Sequence, residues 1–261
     1  MTRWAGLALA CVSLVIMGCG GGGAPSSSQD STALSREAVE FLDAVRGGRV
    51  DAVKAGLLKG GVSPNVKTGD NSPALIVATE AGHLGVVQAL VEAGADPNAK
   101  DSYALNALMR AIQDGKQDLA LFLIPKTDLA ATENLKRTAL VIAAQSDRPT
   151  ILKALIDAGA NVNAKDNADT SAVAMAVGGH NFACLEQLIA AKADVNAANA
   201  DRETPLMTAA KTGDPQAATA LLAAKADVSA KNRDGKTALM LAKESNYPKV
   251  AAILTAAGAK E

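Results

Sequence analysis

Few side chains in this sequence of 261 residues have the type and setting that chemistry needs. His83 and His180 each follow a glycine, Gly82 and Gly179, and stand far apart in the chain. A general base needs its partner within hydrogen-bond reach, so two isolated histidines at expected turns read as residues that bond the backbone. Cys184 falls on one helical face with Leu185 and Leu188, where a thiol packs as a small hydrophobe, and nothing near it in sequence would lower its pKa and make it a nucleophile. Asp96, Asp194 and Asp227 could be pictured as a ladder of oxygen ligands for a metal. They recur at a regular interval instead of clustering, which fits acceptors in turns. The run Gly20 to Gly23 follows no strand and precedes no Lys-Ser/Thr pair, so it is not a phosphate loop. The expectation is of no catalytic residue, no metal ligand and no cofactor.

Composition then limits the elements that must carry whatever function remains. Apolar residues make up 49% of the chain, aromatics only 2%, and 56 residues are Ala. A single large globule would have too few bulky side chains to fill its interior, so a thin core of small residues is expected. The 26 Lys+Arg balance 27 Asp+Glu, which excludes a broad electrostatic footprint for nucleic acid.

The start of the chain reads as an address. Thr2-Arg3 supplies a short positive start, and Trp4 to Met17 is a mostly apolar run of 14 residues. That is shorter than the roughly 20 that a membrane-spanning helix needs, and it predicts a secretory signal peptide. The run ends in Ile16-Met17-Gly18-Cys19, which resembles the bacterial lipoprotein signal. The resemblance implies that residues 1–18 are removed, that the Cys19 thiol is lipidated, and that residues 19–33 form a flexible Gly/Ser tether. Gly20 stands where an Asp would retain such a protein in the inner membrane, so the resemblance implies the outer membrane, facing the periplasm. Cys11 lies in the discarded segment, which leaves no internal disulfide.

The rest is one unit copied about seven times. Asp201-Arg202-Glu203-Thr204-Pro205-Leu206-Met207 returns 33 residues on as Asp234-Gly235-Lys236-Thr237-Ala238-Leu239-Met240, and Ala193-Asp194-Val195-Asn196-Ala197 returns as Ala226-Asp227-Val228-Ser229-Ala230. The period and both patterns resemble the ankyrin repeat, in its Thr-Pro-Leu-His-x-Ala signature and its Gly-Ala-Asp-Val-Asn-Ala turn. This implies an all-α ankyrin solenoid over residues 34–261, with repeats at about 36–69, 70–102, 103–134, 135–167, 168–200, 201–233 and 234–261.

Each part of the unit has a physical reason. Thr138, Thr204 and Thr237 can cap a first helix, and Leu75, Leu108, Leu140, Leu206 and Leu239 point into the stack. Pro149, Pro215 and Pro248 open a second helix, where a missing N–H costs little. That helix is expected to bury pairs such as Leu90-Val91, Leu155-Ile156, Leu188-Ile189 and Leu221-Leu222, and to end at Gly94, Gly159 and Gly258 in the left-handed conformation. Asn98, Asn163 and Asn196 are expected to bond back to their own turns. The signature His is absent, replaced by Ile76, Met109, Val141, Ala174, Met207 and Met240, so stacking must rest on apolar contact. The third repeat is one residue short near Pro125, and the fifth carries Gly178 and Gly179 in or beside its first helix, which makes both expected weak points. The first repeat, with Arg36, Glu37, Glu40, Asp43, Arg46 and Arg49, reads as a cap.

What remains is a surface. The resemblance implies that a partner touches the hairpin tips and the exposed side of the first helices, which places Tyr103, Leu105, Gln113, Asp114, Leu135, Arg137, Gln145, Ser146, Glu203 and Lys211 among the contact residues. Asp70, Ser72, Glu80, Thr170, Asp201, Asp234, Lys236 and Glu244 hold equivalent positions. Tyr103, Leu105 and Leu135 stand out, because apolar side chains at exposed tips are more informative than charges. The functional expectation is a monomeric lipid-anchored envelope protein, not an enzyme, that binds another protein either as a scaffold or as a periplasmic inhibitor. A passive spacer, or an enzyme acting on envelope substrates, is the alternative.

Overall fold

All but one of the first helices in the repeats begin where a short polar side chain takes a free N–H at the first turn. The computed structural model describes residues 34–58 and 60–260. The expected signal peptide, the lipidated Cys19 and the tether lie outside the described residues. Fourteen α-helices among them fall into seven pairs: α1 (Arg36–Arg46) with α2 (Val50–Leu58), α3 (Ala74–Ala81) with α4 (Leu84–Glu92), α5 (Ala107–Gln113) with α6 (Gln117–Leu123), α7 (Ala139–Gln145) with α8 (Pro149–Asp157), α9 (Ala172–Gly178) with α10 (Phe182–Ala190), α11 (Pro205–Thr212) with α12 (Pro215–Ala223), and α13 (Ala238–Glu244) with α14 (Pro248–Ala256). Thr138, Thr204 and Thr237 cap as expected, each accepting a bond from the N–H three residues on. Asn106 and Ser171 do the same for α5 and α9, while Pro73 leaves α3 without a side-chain cap. Such a cap contributes about 1 kcal/mol.

First helices pack on first helices and second on second. Ala makes this possible: Ala44, Ala78, Ala111, Ala143, Ala176, Ala209 and Ala242 hold one position in all seven repeats, and all are buried. One layer over, Leu90, Leu123, Leu155, Leu188, Leu221 and Leu254 are fully buried in successive second helices. The first repeat has Gly56 there, and the Phe41 ring fills the gap so closely that a Cβ on Gly56 would lie 2.9 Å from it. Of the four expected buried pairs only the first members are fully buried. Val91, Ile156, Ile189 and Leu222 sit half-buried at the edge of the core, about 100° round the helix from the buried Leu that precedes each.

The turn between the two helices repeats a backbone device that local sequence hides. Gly48, Gly82, Gly115, Asp147, His180, Gly213 and Asn246 occupy one position in the seven repeats, and all have φ between +52° and +82°. The next residue then reaches back one repeat to carbonyls at the end of the preceding first helix. His83 Nε2 lies 2.9 Å from the Arg46 carbonyl, Lys116 Nζ donates to the Glu80 carbonyl, Arg148 Nε to that of Ile112 at 3.3 Å, and Asn181 Nδ2 to that of Ala144 at 2.7 Å. These carbonyls lie at the helix ends, beyond the intrahelical ladder, so each clasp serves one of them, that of Ile112 alongside the Gly115 N–H, and joins two repeats at once. In the sixth repeat the position is Asp214, which cannot donate, and the polarity reverses: His180 Nδ1 comes 3.0 Å from its Oδ2.

One further expectation changes in the folded chain. Asn98, Asn163 and Asn196 bond forward instead of back, accepting the N–H of Asp128, Asp194 and Asp227 in the next repeat, each at 2.8 Å. The turn itself is served by the acids: Asp96, Asp194 and Asp227 each accept the N–H two residues on. Gly178 is the last residue of α9 and Gly179 its cap, so neither interrupts a helix interior. In the short third repeat, α6 stops at Leu123 and a 3₁₀ turn over Ile124–Lys126 replaces its final turn. Gly94, Gly159 and Gly258 do adopt the left-handed conformation after their helices, with φ from +85° to +89°.

Candidate partner-binding groove

Every hairpin is closed by a side chain one residue inside its loop. Asp101 Oδ1 accepts the N–H of Tyr103 at 2.8 Å and of Leu105 at 3.0 Å, and Glu133 Oε1 accepts that of Arg137 at 3.1 Å. Asp166, Asn199 and Asn232 do the same in later repeats. What distinguishes the hairpins that open the third and fourth repeats, called the third and fourth hairpins, is an added arginine. Arg110 Nη2 stands 2.5 Å from Asp101 Oδ2, and its Nε lies 3.0 Å from Glu80 Oε1 on the preceding repeat. Arg137 Nε lies 3.0 Å from Glu133 Oε1, and its Nη1 donates to Gln145 Oε1 at 2.6 Å. Burial alone would raise the Glu133 carboxyl, but the Arg137 guanidinium and the N–H groups of Leu135 and Arg137 outweigh it and hold its pKa below the usual carboxylate value.

Between these two hairpins lies a groove of about 500 Å³, lined by Tyr103, Leu105, Arg110, Gln113, Glu133, Asn134, Leu135 and Arg137. The structure thus brings together five of the ten expected contact residues: Tyr103, Leu105, Gln113, Leu135 and Arg137. Tyr103 is 65% exposed and Leu135 46%. Leu105 corrects the expectation of an exposed tip: it is only 5% exposed and forms part of the core. At the same repeat position Arg137, Glu203 and Lys236 send a polar head along the helix to a partner eight residues on, whereas an aliphatic side chain has none to seek and folds inward. Leu105 therefore offers no polar group to Gln113.

The other expected residues lie elsewhere. Gln145 touches the groove only through Arg137. Asp114 caps α5 at the far end and pairs with Lys116 at 3.0 Å, and Ser146 caps α7 half-buried. Glu203 and Lys211 pair with each other at 2.9 Å in the sixth repeat. Sequence reasoning missed Arg110, Glu133 and Asn134. A signal for Arg110 was present: its position holds Val77, Ile142, Met175, Thr208 and Leu241 in the neighbouring repeats, so a charge there demanded a partner.

The remaining chemical candidates take structural places. Cys184 is fully buried, and that burial, with the nearby Asp147 carboxylate, pushes its thiol up to about 11. A thiol so raised is the opposite of an activated nucleophile. His83 bonds the backbone as expected, whereas His180 faces a carboxylate instead of a carbonyl.

The comparisons agree with this architecture. A family model described as ankyrin repeats (3 copies) matches residues 41–133, 93–166 and 171–261. The crystal structure of the ankyrin repeat domain of Bcl-3, described as a unique member of the IkappaB protein family, is similar with a TM-score of 0.76 and 26% identity, over 82% of this chain and 97% of that one. With its helix pairs, left-handed inter-helix turns and hairpins in register over seven copies, the chain belongs to the ankyrin repeat family.

Proposed function

We propose that this chain is a lipid-anchored cell-envelope protein that holds a partner protein against the hairpin tips and first helices of its solenoid, with no catalytic step of its own. Ankyrin repeats typically mediate protein–protein interaction, and the repeat unit supplies the rigid surface that such binding needs. The observation that carries the reading is the pair Tyr103 and Leu135, apolar side chains held out to solvent at the tips of adjacent repeats and flanking one groove. Exposed aromatic residues beside a concave site are typical anchors of interfaces, and among the other large apolar side chains described only Leu58 is as exposed. The reading of membrane attachment rests on Ile16-Met17-Gly18-Cys19, and of an outer-membrane, periplasm-facing site on Gly20.

Two measurements test the two halves. Mass spectrometry of the mature protein should find Cys19 as a diacylated or triacylated N-terminus, and an unmodified Cys19 would end the anchoring claim. Mature protein crosslinked in envelope extract should retain a stoichiometric partner, which a Tyr103→Ala, Leu135→Ala variant loses. Capture that is indifferent to both substitutions would move the binding surface elsewhere.

A further inference from the structure

The groove between the third and fourth hairpins contains two arginines, and neither has charge to spare. Asp101 bonds Arg110, the Glu80 carboxylate lies 3.0 Å from the Arg110 Nε without accepting a hydrogen bond from it, and Glu133 holds Arg137. Three carboxylates thus face two guanidiniums. The Asp101 and Glu133 side chains are 2% and 6% exposed, so neither can swing into water and release its arginine to an incoming anion. An anionic ligand would leave a buried carboxylate unpaired, which is a large penalty. The unused surface is of another kind: Tyr103 and Leu135 offer apolar area, Leu105 lies beneath them, and Gln113 and Asn134 offer neutral donors and acceptors.

We infer that the groove takes one uncharged apolar side chain, aromatic or branched aliphatic, from a peptide segment of the partner protein, while Gln113 and Asn134 bond the main chain beside it. This rests on the protein-binding reading above and names the chemistry of its anchor. The volume is of the size that ligand pockets commonly have, and a single aromatic side chain buries roughly 150–250 Å². Charge complementarity decides against an acidic anchor: the arginine that would attract one in each hairpin is already neutralised from within.

The test uses the full chain carrying Cys19→Ser, isotope-labelled, titrated in turn with N-acetyl-phenylalaninamide, N-acetyl-leucinamide, N-acetyl-lysinamide and N-acetyl-glutamic acid amide. The phenylalanine or leucine probe should shift the amide signals of Tyr103 and Leu135 and the side-chain amide of Gln113, saturably in the millimolar range. Added salt should leave that binding unchanged, because no ion pair is formed. Tyr103→Ala with Leu135→Ala should weaken it roughly tenfold, the loss expected of a central anchor site. Stronger shifts from the glutamic acid or lysine probe, fading with salt, would overturn the inference, as would the lack of any shift from the two apolar probes. The titration needs no partner protein, so its failure beside successful partner capture sinks the apolar-anchor inference alone, whereas binding of the apolar probes with no captured partner sinks the protein-binding reading and, with it, the peptide source of the anchor.

Discussion

Nη2 of Arg110 stands 2.5 Å from Oδ2 of Asp101, and this contact ties the first helix of the third repeat to the hairpin that precedes it. The other oxygen of the same carboxylate accepts the N–H groups of Tyr103 and Leu105, so one side chain both closes the hairpin and anchors it to α5. Arg110→Leu leaves a buried carboxylate uncompensated and should destabilise the chain by about 3 kcal/mol in urea denaturation. Asp101→Asn keeps an oxygen for the hairpin but turns an amide N–H₂ toward Arg110, which retains the neighbouring Glu80; no buried charge is stranded, so it should cost less. Equal losses from the two would mean that stranding the buried carboxylate costs nothing beyond loss of the ion pair itself.

A second prediction concerns the inter-helix turn. Gly213 has φ +69°, and a Cβ built on it would lie 2.4 Å from the Tyr247 ring. Gly258 has φ +86° but open space around it. Gly→Ala at either position forces a side chain into the left-handed region, at roughly 1 kcal/mol. Only Gly213→Ala must also displace the ring that joins the sixth and seventh repeats. It should therefore lower the melting point more than Gly258→Ala, and the excess should vanish in a Tyr247→Ala background, where a double-mutant cycle isolates the contact.

Acid sensitivity follows from Glu133. Its folded pKa lies below the ordinary 4.5, so as the pH falls the unfolded chain takes up the proton first. The stabilisation from this carboxylate is complete above about pH 4.5 and is lost as the pH drops through the lower, folded value. Glu133→Gln should accordingly flatten the acid limb of a stability–pH curve while costing stability near neutral pH. A variant whose acid limb is as steep as the wild type would place the proton uptake on other groups.

In the middle of the stack, Leu155 is fully buried, and its truncation to Ala should cost about 2 to 5 kcal/mol. Lys211→Ala breaks only a surface pair with Glu203, worth about 0 to 1 kcal/mol. Chemical denaturation that ranks the two alike would contradict the packing of the second helices.

The parts of this architecture that were legible in the sequence are those set by local chemistry repeated at a fixed interval. Thr138, Thr204 and Thr237 mark helix starts because a hydroxyl beside a free N–H acts within one turn, and Gly94, Gly159 and Gly258 mark ends because only glycine enters the left-handed region freely. Contacts that cross from one repeat to the next were not legible. Asn98 serves a backbone group 30 residues away, and Asn181 reaches a carbonyl 37 residues back, so turn propensity says nothing about either. The groove was half legible for the same reason. Tyr103 and Leu135 announced themselves by type, but Leu105 turned inward and Arg110 found Glu80 on another repeat.

Arg137 lies in the groove and invites a charge reversal, yet its surroundings make that substitution a poor probe of binding. Its Nε is 3.0 Å from Glu133, whose carboxylate also accepts the Arg137 N–H. Arg137→Glu would set two carboxylates against each other at a position where one is already buried, and the fourth hairpin would open. The melting point should fall together with partner capture, which would report on folding as much as on recognition. Tyr103→Ala with Leu135→Ala removes exposed surface from side chains that make no internal polar bond, so capture should be lost while the circular dichroism spectrum and melting point stay close to the wild type. Lys153→Glu, on the outer side of α8 where Lys153 pairs with Asp157, should leave capture intact. Loss of capture in Lys153→Glu, with normal capture by the Tyr103 and Leu135 variant, would place the partner on the second helices and refute a groove-centred interface.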